Sequence, residues 1–156
     1  MAKKEQGDAL KKQIDIFTIA KHFARIDPIT ANKLNLLCFI AQGIWLSSKD
    51  ELLIDEDFEA WAKVPTIRKI SEKFPNGEEI ISPDDINSDM NDIDEEVEEL
   101  LDAVFECYGY LSESEIIKLF GIRVLLAQVR SQSSPGKNKR SKITKDQIIT
   151  YAGTWL

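Results

Sequence analysis

Histidine occurs once, at His22, and cysteine twice, at Cys38 and Cys107. A zinc site or a nucleophile–base–orienter triad needs further groups converging on the imidazole, and no spacing in the chain supplies them. His22 lies beside Lys21 at the edge of an apolar stripe and reads as a partly exposed surface imidazole. The two cysteines stand in apolar helical surroundings without paired spacing, which fits buried thiols in a reducing cytoplasm better than a disulfide framework. The seven glycines form no phosphate-cradling loop. No apolar run approaches the roughly 18 residues of a membrane span; Gln42 and Gly43 interrupt the best candidate. The start, Met-Ala-Lys-Lys-Glu-Gln-Gly-Asp, has no apolar segment of the secretory type behind it. These absences lead to the expectation of a cytoplasmic protein with no membrane partner, no metal or cofactor, and no enzymatic role.

Lysine and arginine are also missing in one place. Between Lys73 and Lys118 there is none, while that interval holds fifteen Asp and Glu. From Lys118 through Lys145 the pattern inverts, with eight Lys or Arg and no acid. The net charge is -7, which favours solubility and weighs against general nucleic-acid binding.

What is present is a helical pattern. The chain has 156 residues, 43% of them apolar, enough for one domain with a real core. Its organising segment is Ala31–Leu46, where Leu34, Leu37, Ala41, Ile44 and Trp45 recur at helical steps. Leu36, Cys38, Phe39 and Ile40 fill most of the remaining circumference, so this is a helix surrounded by others. Thr30 suits its N-cap, Gly43 weakens its last turn, and Trp45 reads as core. Before it, residues 1–7 read as a flexible tail. Asp8 to Arg25 reads as a helix with Ile16, Ile19, Ala20, Phe23 and Ile26 inward, stopped by Asp27-Pro28.

After it, Ser47 to Asp57 is a polar connection, with at most a small β element near 51–62. Pro65 to Phe74 is expected as a helix with proline in its first turn. Residues 78–91 read as an acidic surface loop. Asp92 or Asp94 caps a helix to about Tyr108, with Gly109 as its C′ residue. Ser112–Glu115 is a capping box for the next helix, in which Gly121 allows a kink or an early end. Residues 131–142 form a basic loop, and Thr144–Gln147 caps a last helix with Ile148, Ile149, Tyr151 and Trp155. The expectation is a mainly α domain over 8–156, with about six helices around the buried central one.

Three motifs bear on chemistry. Asp85, Asn87, Asp89 and Glu96 occupy four ligand positions of a calcium-binding loop. Met90 replaces the turn glycine and Asp92 the apolar eighth position, so the stretch reads as a solvated loop leading into a capped helix. The tract Lys137, Lys139, Arg140 and Lys142 could touch phosphates, yet it lacks aromatics for base stacking. Its plainer reading is a loop that neutralises the nearby acidic helix. Trp61, Pro65 and Arg68 are candidates for a partner-binding surface, because aromatics and arginine dominate interface energetics.

The order Ile29-Thr30, Lys33-Leu34, Leu36-Leu-Cys-Phe-Ile-Ala-Gln-Gly43, Leu46, then Phe58-Glu-Ala-Trp61 and Pro65, resembles the Panacea domain. That family includes SocA-like and GepA-like bacterial and phage-associated proteins. The likeness extends over about residues 14 to 152, its specific part being Ile29 to Pro65. It implies a binding module that neutralises a cognate toxin in a toxin–antitoxin pair, or an adaptor delivering a toxin to an ATP-dependent protease. The alternatives are a nucleic-acid-associated regulator using the basic loop and a structural phage-associated protein. Two family features are missing. Trp61-Ala-Lys-Val-Pro-Thr-Ile-Arg68 stands where a Tyr-Gly-Pro-Val-like turn is usual, and Leu119–Leu126 with the basic loop replaces a Thr-His…Pro-Trp motif.

Overall fold

The computed structural model describes residues 14–132 and 141–155. Asp15 caps the first helix, α1 (Ile16–Ile26), by accepting the Phe17 N–H at 3.0 Å. Helix α1 thus begins at Ile16 and not at Asp8; the expected turns before residue 14, like the tail 1–7, lie outside the described residues. Its inward face is Ile16, Ile19, Ala20 and Phe23, but Ile26 is 39% exposed rather than part of that stripe. Asp27 leaves the helical conformation before Pro28.

Strand β1 (Ile29–Thr30) leads directly into the central helix, α2 (Ala31–Lys49). The start of α2 finds acceptors outside its own turns. Ala31 N–H donates to the Glu79 carbonyl, Asn32 N–H to the Gly77 carbonyl, and Lys33 N–H to Thr30 Oγ1. These are the donors that every helix start leaves without intrahelical partners. The Thr30 hydroxyl in turn donates to Glu113 at 2.6 Å, placing a carboxylate at the positive end of the helix.

Leu34, Leu36, Leu37, Phe39, Ile40 and Ala41 are fully shut off from solvent. Each large side chain so buried contributes about 1.5–3 kcal/mol. Trp45 is only partly buried, with Lys49 lying over its ring. The helix runs three residues past Leu46 into the expected connection and ends at Asp50 in the left-handed conformation. Gly43 does not end it. A Cβ there would lie 2.6 Å from the Trp155 ring, so the glycine admits close approach of the chain's end.

Two buried amides on α2 hold the segment after it. Gln42 Oε1 accepts the Leu53 and Ile54 N–H groups, and its Nε2 donates to the Ile54 carbonyl. Asn35 Oδ1 accepts the Ile67 N–H at 2.9 Å. Strand β2 (Phe58–Ala60) pairs antiparallel with β3 (Pro65–Ile67), so Pro65 begins a strand and not a helix. Asn35 and β2 together capture main-chain groups that a helix would need internally, and proline is tolerated at a strand's first residue. Helix α3 is correspondingly short, Arg68–Lys73.

Two further pairings depart from the expected pattern. Ile80–Ile81, inside the supposed loop, forms β4 against β1, and a single 3-10 turn comes next at Pro83–Asp85. Beyond Asp94, which caps through Val97 N–H, come α4 (Glu95–Tyr108) and α5 (Glu113–Leu119). Gly109 takes the cap of α4 in the right-handed region instead of the left-handed C′ turn. The Ser112 capping box is present. Gly121, at φ +63°, breaks the expected single helix into α5 and α6 (Ile122–Ser131). Strand β5 (Lys142–Ile143) pairs with β2, giving a sheet of order β3-β2-β5 that extends well beyond residues 51–62. Thr144 caps α7 (Lys145–Gly153) with its capping box. The described residues thus form seven α-helices and two small sheets in a single, mainly helical domain.

Candidate partner-binding surface

In β2 the alternation is plain: Phe58 and Ala60 face the core and Glu59 faces out. The outward carboxylate joins two residues that the sequence could only propose separately. Glu59 Oε1 accepts the Trp61 indole N–H at 2.8 Å, and Glu59 Oε2 accepts Arg68 Nη2 at 2.8 Å. That hydrogen bond, then the charge of Glu59, raises the Arg68 pKa above its ordinary value. The Arg68 side chain stays 55% exposed, whereas that of Glu59 is 16% exposed. Arg130, reaching over from α6, donates to the Trp61 and Ala62 carbonyls at 2.8 and 3.3 Å. Pro65 is buried opposite Ala60 and supports the hairpin without contributing to its surface.

Beside Trp61 opens a depression of about 330 Å³, lined by Trp61, Val64, Thr66, Asn32 and the turn Phe74–Gly77. The arrangement can present an oriented guanidinium and a tryptophan edge to another molecule. Glu59 lies within the Phe58-Glu-Ala-Trp61 motif and is recognisable by strand alternation once β2 is known. Arg130 carried no signal, because nothing in an amphipathic helix says which carbonyl an arginine will reach.

The other candidates separate. Lys137, Lys139 and Arg140 lie outside the described residues. Lys142 is paired with Asp57 at 3.4 Å, so this member of the tract meets the β2 approach and not the acidic helix. The acidic helix is met instead by Lys49, which pairs with Glu96, and by His22, whose Nε2 lies 2.7 Å from Asp102. The His22 side chain is 13% exposed, nearer to burial than to the surface. In the calcium-like stretch, Asp85 accepts the Ser82 N–H, Asp89 accepts the Asn91 N–H, and Met90 takes φ +66°. Among the described residues no group of three His, Cys, Asp or Glu could hold a metal ion. No helix among them is long and apolar enough to cross a membrane.

Cys38 is buried and Cys107 exposed, both as free thiols. Burial, with Glu56 adding to it, pushes the Cys38 thiol far up, which leaves it unreactive. Comparison with family models, with curated proteins and with solved structures finds no match to this chain.

Proposed function

We propose that this chain is a cytoplasmic protein-binding module of the Panacea type that neutralises a toxic protein by direct binding. The observation that carries the reading is the Trp61–Glu59–Arg68 cluster: the two candidate partner residues share one carboxylate on the β2–β3 hairpin, and Arg68 stays 55% exposed. A second feature supports it. Over the run from Ile29 to Pro65 that bears the resemblance, and just beyond it, Asn35 and Gln42 of the central helix hold the main chain at Leu53, Ile54 and Ile67. Binding requires no catalytic group, and an oriented arginine beside a tryptophan is a common way to anchor a partner. Delivery of the bound toxin to a protease is a variant of the same function. Of the basic tract that the nucleic-acid alternative would use, Lys142 is the member within the described residues, and it is already paired with Asp57.

The test is co-expression with the adjacent reading frame. The neighbour should arrest growth alone, be harmless together with this chain, and co-purify with it. Trp61→Ala and Arg68→Ala should each restore toxicity while the variant accumulates normally. A harmless neighbour that does not co-purify removes the toxin–antitoxin reading. If protection holds, the toxin's half-life separates the two variants of the function: unchanged for simple binding, shortened for delivery.

A further inference from the structure

A second groove lies where α5, α6 and α7 meet the end of α4, and it shares no lining residue with the depression at Trp61. We propose that it takes an acidic peptide segment of another protein, anchored by bulky apolar side chains.

The exposed aliphatic side chains of the groove come from the two helices that meet at Gly121. Ile116 and Phe120 of this corner, with Ile122, Leu125, Leu126 and Val129, satisfy its inward face. Leu119 and Val124 face the other way, 60% and 56% exposed. Single exposed apolar residues are ordinary. These two, however, line the same groove of about 580 Å³ together with Tyr108, Phe120, Tyr151 and Trp155. An open groove lined by four aromatics and two aliphatic side chains is the surface that apolar anchors of a peptide require.

Charge selects the occupant. Among the described residues that line the groove Lys118 is the one with a charge, and Arg123 stands next to Val124 on the exposed side of α6. Neither makes an ion pair among the described residues. No Asp or Glu occurs from Lys118 through Lys145, although the whole chain carries -7. A segment with Asp or Glu beside its anchors meets cations here and repulsion over much of the remaining surface. The Trp155 indole N–H adds a polar demand. It is closed to water and has no acceptor among the described residues, an unfavourable arrangement for a buried donor. A carbonyl or carboxylate brought by the segment, with a small turn of the ring, would satisfy it.

The experiment is a selection from a phage-displayed library of random peptides on the full-length protein, followed by solution binding of the enriched peptides. Enriched peptides should combine Asp or Glu with Leu, Phe or Trp. Their affinity should fall tenfold or more in Val124→Glu and in the double variant Lys118→Glu, Arg123→Glu, and should fall with added salt. All three substituted residues are exposed, so thermal melts should match the parent and separate lost binding from lost folding. Trp61→Ala should leave this binding unchanged, so the fate of the proposed function and that of this groove are read independently. Failure to enrich, enrichment of basic peptides, or equal binding to parent and variants overturns the proposal. So does a parent dimer that Val124→Glu converts to monomer, which would make a second copy of the chain the occupant.

Discussion

Two tryptophans, Trp61 and Trp155, are held in opposite ways. Trp61 belongs to a region secured by directed hydrogen bonds: Asn35 and Gln42 hold main chain from beneath, Glu59 receives the indole, and Arg130 grips the Trp61 and Ala62 carbonyls. Trp155 belongs to a region secured by shape. Its ring meets Phe39 and Phe120 edge-on at 6.0 and 5.0 Å, rests over Gly43, and its N–H has no acceptor among the described residues. Directed hydrogen bonds of this kind fix a surface whose geometry is ready before a partner arrives. Aromatic packing tolerates an exposed apolar rim such as Leu119 and Val124. The first region is suited to orienting a charge, the second to burying side chains.

The largest effect should come from cutting the directed bonds. Gln42→Leu leaves the buried Leu53 and Ile54 N–H groups without an acceptor. We expect a loss of about 3 kcal/mol in urea unfolding, since each orphaned buried donor costs about 1–3 kcal/mol. A loss no larger than that of an ordinary surface substitution would show that water replaces the amide.

Next is the packed region. Gly43→Val forces atoms against the Trp155 ring, where even a Cβ would come within 2.6 Å. Overpacking of this kind costs about 1–3 kcal/mol. Tryptophan emission should shift to the red as Trp155 is displaced, and an unchanged spectrum would contradict the close packing.

A third effect lies beneath both regions, at Cys38 on α2. Burial holds the folded thiol protonated well above its ordinary value of 9.0, while the unfolded chain ionises near that value. Above it the unfolded state therefore binds fewer protons than the folded one, and stability declines as pH rises. The slope attributable to this thiol is at most about 1.4 kcal/mol per pH unit. Stability measured from about pH 8 to about pH 10.5 should fall more steeply in the parent than in Cys38→Ala; parallel curves would mean that the thiol is not closed off. The smallest effect on stability belongs to Glu59→Gln. Arg68, one half of the ion pair, is 55% exposed, so the pair contributes little, and an amide at 59 can still accept the Trp61 indole N–H. The melting midpoint should move little, although partner binding through Trp61 and Arg68 should weaken. A lowered midpoint would recast the cluster as structural.

The caps show how much is legible in the chain. Thr30, Asp94, Ser112 and Thr144 each carry a short side chain that satisfies helix-start donors two or three residues on, and each does so here. The central helix is legible because it is apolar nearly all round. Pro65 is ambiguous, since proline suits a helix start and a strand start alike, and only the Asn35 and β2 partners choose between them. Ile80–Ile81 leaves no trace in the pattern because a two-residue strand is too short to show alternation. Within the candidate surface, Trp61 and Arg68 are legible as residue types, but the carboxylate between them is not.

Local chemistry along the chain was therefore enough to determine the mainly helical class, the buried helix and its caps, and the separation of acidic from basic stretches, because each depends on residues within a few positions of one another. The tertiary structure alone decided that Glu59 joins Trp61 to Arg68, that Arg130 reaches the hairpin from α6, and that Trp155 closes over Gly43. Those contacts link positions far apart in sequence or across a turn, and they form only where packing around α2 brings donor, acceptor and ring within a few ångströms.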